Sequence, residues 1–168
     1  AVTGISNGTG NGTGAINETL INTTANPVTV TYNYVLTANG CSNTQSVTVV
    51  VNPSATMSSA LTANVCSGRL FKYTPLSATA GTTYAWSRAA VTGITNTAAT
   101  GTGAISETLT NSTQAPINVT YVYTLTANGC SNTQNLVVTV NPTPTVTVNS
   151  DTICNGETTI FKGWRLYS

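Results

Sequence analysis

Charge is what this sequence has least of. Five Lys and Arg, four Asp and Glu and no His make up 5% of 168 residues, against about 25% in ordinary soluble domains. Each shortage excludes a class of function. Scattered basic residues cannot make the electrostatic footprint of a nucleic-acid binder, nor hold the chain on an anionic membrane surface. Four dispersed acids cannot supply the several oxygen ligands of a Ca²⁺ site. Without His and without a CxxC spacing, a zinc shell cannot be completed. The abundant Ser and Thr, and the four Cys, have no base to make them nucleophilic, and the paired carboxylates of glycoside hydrolysis are missing. No run approaches the ~20 apolar residues that span a bilayer, so membrane insertion is not expected. The sequence therefore predicts no catalytic residue, no cofactor and no metal ligand.

What is present is Thr, Asn, Ser and Gly. Thr suits strands because its branched Cβ fits a pleated surface, and Asn and Gly suit the tight turns between them. This is the composition of an all-β protein with an uncharged, hydroxyl-rich surface.

The organising feature is an internal repeat. Residues 1–53 align without a gap on residues 90–142, at an offset of 89, and the tract Thr-Ala-Asn-Gly-Cys-Ser-Asn-Thr-Gln is identical in both. Beyond Pro142 the register continues more loosely: Asn64-Val65-Cys66-Ser67-Gly68 parallels Thr152-Ile153-Cys154-Asn155-Gly156. Three blocks follow. Residues 1–53 are the C-terminal part of one module, 54–142 a complete module, and 143–168 the start of a third, whose tail 162–168 diverges. A half-module exposes its core face, so the native protein is expected to extend in both directions. The alternative is that neighbouring copies complete each other's half-modules by strand donation.

Within the complete block, Val119, Tyr121, Tyr123 and Leu125 alternate with polar residues, as do Leu136, Val138 and Val140, with Asn128-Gly129 between the two runs. Period two around Asn-Gly predicts a hairpin of half-buried strands, with Cys130-Ser131-Asn132 available to enlarge its loop. Further strands are expected at 56–61, 70–73, 83–88 and 104–109, and Gly101–Gly103 reads as a loop. Six or seven short strands in one block predict an antiparallel β-sandwich of Ig-like type, with Trp86 as its buried indole. Pro53 and Pro142 restrict bending at the junctions, so modules in line would form a rod.

Cys66 and Cys154 stand near module starts, Cys41 and Cys130 after hairpin turns. An internal Cys66–Cys130 disulfide is favoured because it makes each module self-sufficient, worth roughly 4 kcal/mol by chain entropy. It would leave Cys41 and Cys154 to partners outside this sequence. Bridges between periods, Cys41–Cys66 and Cys130–Cys154, are the other connectivity. Glu107 is the single acid of the complete block, with Glu18 as its counterpart, and Arg88 is its candidate ion-pair partner. Asn-x-Ser/Thr sequons at Asn7, Asn11, Asn17, Asn22, Asn111 and Asn118 are what so Asn- and Thr-rich a composition produces. The aromatic set Tyr84, Trp86, Tyr121 and Tyr123 reads as core rather than as a sugar platform.

The string Trp86-Ser87-Arg88, Val91-Thr92-Gly93-Ile94, Gly101-Thr102-Gly103, Glu107-Thr108-Leu109, Tyr121-Val122-Tyr123 and Asn128-Gly129-Cys130 resembles the PKD-like repeat of very large Bacteroidota surface proteins, giant gliding-motility adhesins among them. The resemblance covers all but the last few residues. It implies tandem Ig-like sandwiches, type IX export, an extracellular location at the cell surface and a stalk or filament role, with no catalytic residues. Asp151-Thr152-Ile153 resembles the O-glycosylation motif of that phylum and makes Thr152 a candidate glycan site. The function expected is a structural spacer whose partners are neighbouring modules or other copies in a filament. The alternatives are a module that binds surface glycans, and a filament subunit that polymerises by strand exchange.

Overall fold

Two eleven-residue runs joined by Asn-Gly occur twice, and both fold the same way. In the computed structural model, which describes residues 1–145 and 152–158, strands β1 (Val28–Ala38) and β2 (Cys41–Val51) form the first hairpin. The tail 162–168 and Asp151 of the Asp-Thr-Ile motif lie outside the described residues. The second hairpin is β8 (Ile117–Ala127) with β9 (Cys130–Asn141). Each is closed by two residues with positive φ, 52° and 79° at Asn39-Gly40 and 51° and 77° at Asn128-Gly129. That is the twist a type I′ turn requires and that Asn-Gly tolerates. Pairing runs to Ala127↔Cys130, so Cys130-Ser131-Asn132 belongs to the strand and the loop is not enlarged.

Between the hairpins run β3 (Thr62–Cys66), β4 (Leu70–Tyr73), β5 (Thr83–Arg88), β6 (Ala99–Thr102) and β7 (Ile105–Thr108). They complete an all-β sandwich with the second hairpin. One sheet has the order β3-β9-β8-β5-β6, and β4-β7 form a smaller sheet on its face. The core between them contains Phe71, Ile105, Leu109, Val119, Tyr121, Tyr123, Leu125, Leu136, Val138 and Val140. Tyr121 and Tyr123 have no solvent exposure and meet the rings of Phe71 and Tyr73 at centroid distances of 6.2 and 5.9 Å.

Three expectations are corrected. The strand expected at 56–61 forms instead at Thr62–Cys66, and the start of the block is held by an isolated bridge and by side-chain hydrogen bonds. There Met57 bridges to Ser77, its N–H donates to the Gln134 side chain, and the Ala55 carbonyl accepts from Asn132 at 3.0 Å. Side chains hold this stretch where a ladder would otherwise run, and Pro53 has no N–H to give. The strand that does form lies parallel to β9, so the larger sheet is mixed rather than purely antiparallel. Finally, Gly101 and Thr102 are not loop: they form β6, paired with β5 in the register Trp86↔Gly101.

Candidate functional site

The side chains with chemical potential gather on β5, β7 and β8, and the sandwich itself brings them together. Antiparallel register places Trp86 beside Tyr123 and Arg88 beside Tyr121, all on the core face. Glu107 reaches the same place from β7. Arg88 is 2% exposed. Its Nε donates to Glu107 Oε2 at 3.1 Å and its Nη2 to Oε1 at 2.6 Å, a two-pronged geometry that suits the planar guanidinium. The remaining donors go to the carbonyls of Thr97 at 2.6 Å and Ala89 at 3.3 Å. The Tyr121 hydroxyl donates to Glu107 Oε2 at 2.6 Å, and the guanidinium carbon lies 5.9 Å from the Tyr121 ring centre.

Burial raises the Tyr121 pKa well above the ordinary phenol value, and the hydrogen bond to Glu107 raises it further. Tyr123 is raised too, by burial first and then by the field of Tyr73. Both phenols are held neutral. The cluster is internally satisfied: the carboxylate accepts from two side chains, and the arginine spends its donors on Glu107 and two backbone carbonyls.

Trp86 and Tyr84 are half-buried and pack against the core. The indole stands edge-on to Tyr121 at 5.6 Å and lies over Gly101, where an added Cβ would fall 2.5 Å from its Cζ2. Among the described residues its Nε1 is buried without a hydrogen-bond partner.

The expected Cys66–Cys130 bond is not formed, and all four cysteines are free thiols. The reason is direction. Cys66 pairs with Asn141 at the last residue of β9, whereas Cys130 is its first. Eleven steps along a strand separate the two ends by ~36 Å, while a disulfide needs Cα atoms within about 7 Å. Cys41, Cys66 and Cys154 are exposed and Cys130 half-buried. Thr152 is exposed. The Cys154 backbone N–H donates to Glu157 Oε2 at 3.0 Å, within a short turn.

Asn111, read as an incidental sequon, holds one end of the sandwich together. It is 7% exposed. Its Nδ2 donates to Ala115 O at 2.8 Å and Val140 O at 2.9 Å, and its Oδ1 accepts from the N–H and the hydroxyl of Thr113, both at 2.8 Å. Asn22 makes the equivalent bonds to Asn26, Val51 and Thr24. The signal was in the sequence: an Asn, a Thr two residues on and a Pro five residues on, in both copies.

Just before Pro53, Asn52 Nδ2 donates to Asn128 O at 2.9 Å, which ties this link to the turn of the second hairpin. No curated protein matches the chain at a significant level. Residues 63–144 match the family model of the PKD-like domain, the segment that spans β3 to β9.

Proposed function

We propose that this protein is a structural spacer, a stretch of tandem β-sandwich modules that gives reach to a long extracellular adhesin or filament and carries out no reaction. One observation carries the reading. The complete module turns its large aromatic side chains and its buried ion pair inward, leaving a mainly Thr-, Ser- and Asn-covered surface around a tight sandwich. The PKD-like match of residues 63–144 supports a structural, adhesion-type role. The resemblance to Bacteroidota surface repeats supports placement at the cell surface, export by the type IX route and partners that are neighbouring modules. Tyr84 and Trp86, the residues a glycan platform would use, pack against the core, which favours the spacer over glycan binding.

Small-angle scattering from arrays of one, two and four copies of 54–142 tests this. Strands of eleven residues cover ~37 Å, so each added module should lengthen the particle by about 35–40 Å. Arrays that fold back into compact particles, or that bind glycans through Tyr84 or Trp86, would overturn the proposal.

A further inference from the structure

The two hairpins share a register but not an environment. In the complete module Tyr123, Leu125, Leu136 and Val138 have no exposure. Their counterparts Tyr34, Leu36, Val47 and Val49 are 36%, 54%, 50% and 40% exposed. Around the first set lie β3 along the edge of β9, β5 along the edge of β8, and β4, paired with β7, across the face. β3, β4 and β5 belong to 54–89.

The first block repeats part of the frame that such a segment meets in the second, although residues 10–13 and 16–19, the counterparts of β6 and β7, form no strand there. Its Asn22 bracket and its Ile5↔Asn22 bridge repeat those of Asn111 and Ile94. Gly12, the counterpart of the Gly101 that lies under the Trp86 indole, has nothing within 4 Å of an added Cβ. Glu18 accepts a hydrogen bond from Tyr32, as Glu107 does from Tyr121, and among the described residues it has no arginine, whereas Glu107 has Arg88.

We propose that residues 1–53 form an acceptor for a polypeptide segment of the 54–89 type. It would place a tryptophan on Gly12, an arginine on Glu18 and strands along the free edges of β1 and β2. The unpaired strand edges supply the main-chain hydrogen bonds of such β-augmentation, and the glycine socket and carboxylate supply its specificity. A second copy of the chain is a poorer occupant, because its own 54–89 is already packed against its own β8 and β9. The inference rests on the spacer reading and names what completes its partial module.

The test is titration calorimetry of the full chain with a synthetic peptide of residues 54–89. One peptide should bind per chain, and Glu18→Gln and Gly12→Val should each raise Kd about tenfold or more. Gly12→Val has open space in the free chain, so it should not unfold it. No binding, binding indifferent to both substitutions, or self-association through β1–β2 that the peptide cannot displace would each overturn the proposal. Should the peptide aggregate, the same segment is fused directly before Ala1 and amide exchange is measured at Tyr32, Tyr34 and Val47. Protection rising to that of Tyr121, Tyr123 and Leu136 supports the acceptor, and unchanged exchange refutes it. Arrays of 54–142 contain only whole modules, so their scattering lengths test the spacer reading separately.

Discussion

Replacing Glu107 by Gln keeps the shape of the side chain and removes only its charge. Arg88, 2% exposed, then keeps its bonds to Thr97 and Ala89 but has no counter-ion, in a place water scarcely enters. Removing one member of a buried pair costs about 3–5 kcal/mol, because the surviving charge is left uncompensated. Glu107 keeps 18% of its side chain exposed, so some solvent reaches the site and the lower figure, about 3 kcal/mol, applies. A module of this size is stable by roughly 4–13 kcal/mol. The substitution should therefore remove a quarter or more of its stability and lower Tm by about 12–24 °C. The assay is urea denaturation followed by Trp86 fluorescence, with Trp164→Phe as the background. The repeat supplies its own control: Glu18→Gln changes the same position in the first block, where the arginine is missing, and should leave the melt of the complete module unchanged. A double change to apolar residues, Arg88→Met with Glu107→Leu, should recover most of the loss, since it leaves no unpaired charge. If Glu107→Gln costs under about 1 kcal/mol, or the double change is worse than the single one, the pair does not carry the energy assigned to it.

Alkaline pH should unfold the module. The phenols of Tyr121 and Tyr123 are raised above their usual value of 10.0 in the folded state, so the stability they confer is complete below that pH and is lost as pH rises beyond it. Absorbance at 295 nm should show at least two tyrosines resisting ionisation until the fold is lost, and full ionisation of all seven with strands intact would contradict this. Gly101→Ala drives a Cβ to within 2.5 Å of the Trp86 ring and should cost about 1–3 kcal/mol in the same denaturation assay, whereas Gly12→Ala meets nothing and should be silent there. Maleimide labelling without denaturant should reach all four cysteines, Cys130 most slowly, and non-reducing peptide mapping should yield no Cys66–Cys130 peptide; recovery of that peptide would mean that β3 does not run parallel to β9.

Much of the sandwich could be read because its signals are local. Period two through Val119, Tyr121, Tyr123 and Leu125, and Asn-Gly at 128–129, fix a hairpin from within a dozen neighbouring residues on each side. The strands expected at 70–73 and 83–88 form at those residues. What escaped depends on partners distant in sequence. Ala99–Thr102 carries a glycine in a Gly-Thr-Gly tract that reads as loop, yet it pairs as β6 with β5, where Gly101 leaves room for an indole fifteen residues earlier, a pairing in which an aromatic shields a glycine. The start of the block was misplaced because side chains of Asn132 and Gln134, on β9, hold Ala55 and Met57. The Cys66–Cys130 expectation rested on making each module self-sufficient, an argument that ignores strand direction. A parallel β3 carries Cys66 to the far end of the strand. Asn111 was passed over because a sequon describes three residues, while its structural role lies in carbonyls at Ala115 and Val140.

The repeat separates what the chain encodes locally from what neighbours supply. β1–β2 and β8–β9 have nearly the same sequence, the same turn φ values and the same pairing, yet one face is open and the other dry. Hairpin register is thus specified by the turn and the alternation alone. Burial, the tryptophan and the arginine are contributed by 54–89. A module divided in this way has a natural order of assembly: the local hairpin first, then the more distant strands that close over it, with loop entropy opposing the second step. In a tandem array each hairpin precedes, in chain order, the 54–89 segment of the next repeat. In such an array a near-identical hairpin would stand beside a segment that pairs elsewhere. Geometry would oppose such mispairing: Asn52 meets Asn128 at the turn end of the second hairpin, and Pro53 restricts the link between the blocks. In this chain 54–89 pairs forward with β8 and β9 rather than back with β1 and β2, and a junction of so few residues, stiffened by Pro53, opposes the reversal that back-pairing would require.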